Sequence, residues 1–152
     1  REVNALLAYA DGTKMLSQCR HIGGCWDSVS EHAHGTLGHA DVSSAKIQSA
    51  GGWDWRHRGE AQDPYQLEHD ALFAAIRANT PYNEAEYGAT STMTAIFGRM
   101  ATYSGRVLQW DEALASNLSL APERYDWDAL PRVLPDAHGV YPHAIPGVTP
   151  VL

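Results

Sequence analysis

The residues best equipped for chemistry lie between Cys19 and His39. That stretch holds Cys19, Arg20, His21, Cys25, Trp26, Asp27, Glu31, His32, His34 and His39. Residues two apart on a strand project to the same face, so His32 and His34 would stand side by side. Two imidazoles so placed can begin a Zn²⁺ site, with His39, Glu31 or Cys25 to complete it. No C-x-x-C or H-E-x-x-H spacing accompanies them. The competing reading is a set of polar histidines lining a pocket or an interface. Arg20-His21, at the end of a strand, can hold a polyol or carboxylate, and Trp26 can stack on a sugar face; the alternative is a solvated strand end. Tyr87, near the start of a helix, can face a cleft, whereas the acidic residues beside it fit the helix dipole without any function. Glu68-His69-Asp70 cannot form a triad, because adjacent residues diverge around a helix axis. Arg99 and Tyr103, four apart, read as a structural pair. Cys19 and Cys25 can pair with each other across the short loop, but the plainer reading is two free, buried thiols.

The elements that must position these residues change period at Asp63. Before it the chain reads as β. Val3, Leu7 and Tyr9 lead into Ala10-Asp11-Gly12-Thr13, a turn whose Asp-Gly tolerates positive φ, and Lys14 to Arg20 returns. Ser28–His34 and His39–Val42 flank Gly35-Thr36-Leu37-Gly38; Lys46–Gln48 and Trp53–Arg58 flank Ala50-Gly51-Gly52. Three hairpins predict one open antiparallel sheet of six strands. After Asp63 a helix is predicted, with Asp63 as N-cap, Pro64 in the first turn and Gln66 closing a capping box. Its apolar face is Leu67, Ala71, Leu72, Ala75 and Ile76, and Thr80-Pro81 stops it. A second helix is expected from an Asn83/Glu86 capping box, with Ala89, Met93, Ile96, Phe97 and Met100 at helical spacing and Gly105 as its end. Val107–Trp110 suits a short strand and Asp111–Leu114 a helical turn. From Asn117 onward no period survives. Prolines recur, and Tyr125, Trp127 and Tyr141 suggest a tail that wraps its own domain or a neighbouring subunit.

Composition bounds the function. The 152 residues carry a formal net charge of -7, with 44% hydrophobic and 19% charged residues. This is a globular balance. It argues against nucleic acid, which needs clustered Lys and Arg. No apolar stretch approaches the length of a membrane helix. There is no dinucleotide fingerprint G-x-G-x-x-G, no phosphate loop and no G-x-S-x-G. The start at Arg-Glu-Val, without Met, suggests a cut inside a longer protein.

Several segments taken together resemble a known family. Ala74-Ala75-Ile76-Arg77-Ala78-Asn79-Thr80-Pro81, the helix end Phe97–Gly105, the Trp110-Asp111-Glu112 segment within 107–116, and Gly35-Thr36-Leu37-Gly38 resemble, in order and spacing, the glucose–fructose oxidoreductase, inositol dehydrogenase and MocA family. The proline-rich ending resembles a bacterial branch of it. The resemblance implies an α+β domain: an open, mainly antiparallel sheet with two helices on one face and an irregular proline-rich tail, the Rossmann domain being absent. It divides the chain into a partial substrate and oligomerisation domain, 1–116, and a tail, 117–152. It implies a parent enzyme that uses NAD or NADP on a sugar or polyol, a missing N-terminal Rossmann domain as partner, and a homo-oligomer formed through the sheet face and tail. Some relatives run an NAD-dependent glycosidase cycle. The family's Glu-Lys-Pro motif and its proton-transfer Asp and His have no counterpart here, so no catalytic residue carries over. Arg20, His21, Trp26, His32, His34 and Tyr87 remain candidates for lining a substrate site, and neither a cofactor nor a metal ligand is assigned to this chain. No membrane partner is expected; the compartment, bacterial cytoplasm or periplasm, stays open. Two other readings stand beside this one: a non-catalytic assembly or carbohydrate-binding module, and a His-rich metal-dependent enzyme.

Overall fold

The computed structural model describes residues 2–60 and 62–152; Arg1, where the strand reading begins, lies outside them. The chain is α+β, with two antiparallel sheets and three helices among the described residues. It divides into two compact units, 1–22 with 84–152, and 23–83.

The first unit begins with a hairpin. β1 (Glu2–Ala8) pairs in register with β2 (Lys14–Arg20), placing Leu6 opposite Leu16 and Leu7 opposite Met15. The Asp-Gly turn behaves as its residue types require. Gly12 has φ +86°, Asp11 Oδ1 accepts from Thr13 N at 2.9 Å, and the Tyr9 amide donates to the Thr13 carbonyl. Ala5 and Leu7 are buried while Leu6 and Leu16 face out, so the strand alternates even through its apolar run Ala5–Ala8.

Helix α2 (Ala85–Ser104) packs on β1. Gly98 is buried at this contact, facing the Ala5 methyl. The Thr102 hydroxyl donates to the Asn4 carbonyl at 3.0 Å. Met100 is the centre of a small core with Ala113 and Val151, walled by Met93, Phe97, Tyr103 and Leu108. Of the expected apolar stripe, Met93, Phe97 and Met100 point inward, but Ile96, Ala89 and the whole first turn are exposed. The helix begins one residue later than the Asn83 box implies: Glu84 holds the cap position and makes no side-chain cap bond. Gly105 closes it with φ +64° and an amide bond to Ala101 O. No strand forms at 107–110. Gln109 instead caps α3 (Trp110–Leu114), with Glu112 Oε2 returning to its amide.

The tail keeps contact with this core. The Gly147 amide donates to the Ser104 carbonyl at 2.6 Å, and Val151 is buried beside Met100. One of the carbonyls left over at the end of α2 therefore finds its donor forty residues on in the chain.

The second unit holds β3 (His32–Gly35), β4 (Gly38–Asp41), β5 (Lys46–Ser49) and β6 (Asp54–Arg56), an antiparallel meander in chain order. It also holds α1 (Pro64–Ala78). Asp63 caps α1, accepting from Tyr65 N at 2.9 Å, and Asn79 in the left-handed region ends it. The expected capping box does not close, because Gln66 Nε2 donates forward to Asp70 Oδ1 at 2.8 Å.

Two expectations are corrected. The strands form two sheets, not one of six strands. Within its own unit α1 packs on no strand and buries no residue, so the four-stranded sheet has no helix covering it from that unit, whereas in the first unit α2 packs on β1. The break follows from residues 21–31: they offer two glycines and no apolar alternation with which β2 and β3 could pair.

Candidate functional site

The four-stranded sheet is the best-defined platform for the candidate residues. Its register sets two parallel rows on one face. His32 lies opposite Asp41, Asp41 opposite Lys46, and Lys46 opposite Arg56; His34 lies opposite His39, His39 opposite Gln48, and Gln48 opposite Asp54. Directly opposed residues share a face, so eight polar side chains form a grid. Ala33, Ala40, Ile47 and Trp55 occupy the other face. The expectation that His32 and His34 stand side by side holds on this geometry.

Within the grid, the His34 and His39 rings are stacked with centroids 5.8 Å apart and planes 24° from parallel. His39 Nε2 donates to Gln48 Oε1 at 2.7 Å. Asp41 Oδ1 accepts from Ser44 N at 3.1 Å. The Asp41 carboxyl is held below its ordinary value of 3.8, chiefly by the hydrogen bond from the Ser44 hydroxyl, then by the Ser44 amide, with His32 and Lys46 adding attraction. A depressed carboxyl stabilises the folded turn above its unfolded pKa and loses that contribution as pH falls through the folded value. Carbon-detected NMR should therefore find Asp41 titrating below 3.8, and Ser44→Ala should move it upward. A midpoint unchanged by Ser44→Ala would break the assignment.

The six candidates do not form one cluster within either unit. Arg20 and His21, at the end of β2, and Tyr87, on the exposed first turns of α2, belong to the first unit. Trp26, in the loop before β3, and His32 and His34 belong to the second. All six are exposed. Among the described residues no three His, Cys, Asp or Glu side chains converge as a metal site, so the His-rich metal-dependent reading lacks a third ligand. Glu31, one residue considered for that place, has its carboxylate bonded to the Ser43 hydroxyl. Cys19 and Cys25 are free thiols as expected, but exposed rather than buried. Glu68-His69-Asp70 is absorbed locally, with His69 Nδ1 donating to the Tyr65 carbonyl at 2.7 Å. Arg99 lies over the Tyr103 ring at 5.3 Å, as a structural pair would.

Sequence reasoning passed over Asp41, Lys46, Gln48, Asp54 and Arg56. The alternation within each short strand, carried across the turns at Thr36-Leu37 and 42–45, contains the signal that groups them with the histidines. A separate open cleft of about 490 Å³ lies in the tail, between Leu120 and Pro131, and none of the six candidates lines it.

No family model matches the chain, and no curated protein and no solved structure matches it. No helix among the described residues is long and apolar enough to cross a membrane.

Proposed function

We propose that this chain is a partner-dependent domain of an NAD(P)-dependent oxidoreductase acting on a sugar or polyol, supplying substrate wall and assembly surface rather than the cofactor site. One observation carries the partner-dependent part. The chain exposes 13107 Å², whereas a folded monomer of 16.6 kDa exposes about 7,600 Å². Two separate globules of roughly 10 and 7 kDa would expose about 9,000 Å² between them. The excess is rich in large apolar side chains, among them Leu6, Leu16, Trp53, Trp55, Phe73 and Ile76. Surface of that kind marks contact with another body.

The oxidoreductase part rests on the ordered resemblance of 35–38, 74–81, 97–105 and 107–116 to the glucose–fructose oxidoreductase, inositol dehydrogenase and MocA family. In this reading the specific fold is that family's C-terminal domain, and Arg20, His21, Trp26, His32, His34 and Tyr87 meet a hydroxylated substrate only when the cofactor-bearing partner completes the site. NAD or NADP belongs to that partner, whose Gly-rich turn and helix N-terminus would receive the pyrophosphate.

Sedimentation velocity at micromolar concentration and an NADH fluorescence titration test the two parts separately. The chain should sediment as an oligomer and should not bind NADH in the low micromolar range, whereas the intact parent should. A compact monomer would overturn the assembly role. Tight NADH binding by the chain alone would overturn the division of labour.

A further inference from the structure

The loop Leu120–Pro131 lines an open cleft of its own in the first unit. Pro122 and Pro131 bound it, and a proline's fixed φ reduces the ordering that binding must impose. Arg124 is clamped inside it, with Nη1 at 3.3 Å from Asp126 Oδ2 and Nη2 at 2.8 Å from Asp128 Oδ1. Asp126 also accepts from the Trp127 amide at 2.7 Å, and its carbonyl accepts from the Ala129 amide at 3.1 Å. The result is a local frame that presents Tyr125 and Trp127 outward, 87% and 105% exposed. Both residues line the cleft of about 490 Å³, a volume within the range of small-ligand sites.

Charge decides what class of ligand suits this cleft. Its lining carries one cation, Arg124, and one anion, Asp126, and the guanidinium is paired with Asp126 and, beside the lining, with Asp128. An anionic ligand would meet the Asp126 carboxylate and a cationic one the Arg124 guanidinium. A neutral ligand meets neither penalty. The two ring faces favour a ligand with apolar faces, and the guanidinium donors and carboxylate acceptors at the rim favour one with several hydroxyls. Both demands are met by a pyranose ring, whose C–H faces stack while its edge hydroxyls hydrogen-bond. We propose that the loop Leu120–Pro131 binds a neutral saccharide, stacked on Trp127 and Tyr125 and hydrogen-bonded by Arg124 and Asp126. This site is separate from the six candidate residues and does not rest on the oxidoreductase reading.

The test is an NMR titration of the full ¹⁵N-labelled chain with maltose, cellobiose and lactose, with choline and inorganic sulfate as charged controls. At least one disaccharide should shift the Trp127 indole N–H saturably, with a Kd on the order of 1 mM. Trp127→Ala should weaken binding, read at the Arg124 side chain, by about tenfold. That indole is fully exposed, so its removal leaves the fold intact, and Trp53→Ala should leave the affinity unchanged. The proposal is overturned if none of the three disaccharides gives a saturable shift at Trp127. It is equally overturned if choline or sulfate binds there in their place, or if the saccharide shifts fall at Trp53 and Trp55 instead.

Discussion

Met100→Ala is expected to destabilise the first unit by about 2–5 kcal/mol, the usual cost of emptying a buried methionine site. Met100 is 4% exposed and joins α2 to α3, through Ala113, and to the tail, through Val151. Few other side chains share the load: among the described residues the buried hydrophobics are Ala5, Leu7, Met100, Ala113 and Val151. A loss of that size is a large share of the roughly 5–15 kcal/mol that holds an ordinary domain together. Trp110 is a built-in reporter, because its ring meets Phe97 edge-on with centroids 5.6 Å apart. Urea unfolding followed by tryptophan fluorescence should move to a midpoint roughly 1–2 M lower. Met100→Leu, which nearly conserves volume, should cost less than about 1.5 kcal/mol. Equal midpoints for the two variants would show that Met100 does not organise this core.

Met100 was legible in the sequence, and the reason is instructive. A helix repeats every 3.6 residues, so Met93, Phe97 and Met100 declare a common face without knowledge of the partner. The same local logic located the turn at Asp11-Gly12, the Asp63 cap and the Gly105 stop. It failed where the deciding contact is distant in sequence. The Ser104 carbonyl is satisfied by Gly147, and nothing near either residue announces the other. Whether β2 continues into β3 depends on cross-strand register, which hairpin signals do not carry beyond their own pair. The apolar stripe of α1 predicts a buried face, yet Leu67, Leu72 and Ile76 remain exposed, because a stripe states what a helix can bury and not what is present to bury it.

The candidate site divides along the same line. His32 and His34 share a face because strand alternation is local. Their neighbours Asp41, Lys46, Gln48, Asp54 and Arg56 needed three successive registers, each with its own turn length. Arg20 and Trp26 are six residues apart, yet they belong to different units. Proximity in sequence suggested a single constellation, and its members are divided between the two units.

Gly38→Ala is expected to disrupt the four-stranded sheet, whereas Gly35→Ala, its directly opposed partner, should be tolerated. The two glycines close the same hairpin and differ in what a methyl group would meet. At Gly35 the nearest atom is the Gly38 carbonyl oxygen at 3.7 Å, an ordinary contact. At Gly38 φ is +151°, and a Cβ would collide with the backbone carbonyl oxygen of Gln48 and lie 3.0 Å from Ser49 Cα. Neither is the far end of a flexible side chain, so relief requires β4 and β5 to separate. Those strands have little else in reserve, since none of the buried hydrophobics lies in residues 23–83 and the hydrogen-bonded ladder must hold the sheet. Backbone strain and lost ladder bonds together should cost about 2–4 kcal/mol. Amide hydrogen exchange at His39 and Gln48, the opposed pair of β4 and β5, reads the result directly. Protection should collapse in Gly38→Ala and persist in Gly35→Ala. The polar grid should dissolve with it, visible as loss of the His39–Gln48 hydrogen bond in the imidazole ¹⁵N shifts. If Gly38→Ala keeps native protection, the close β4–β5 approach is not what fixes the register of His34, His39 and Gln48.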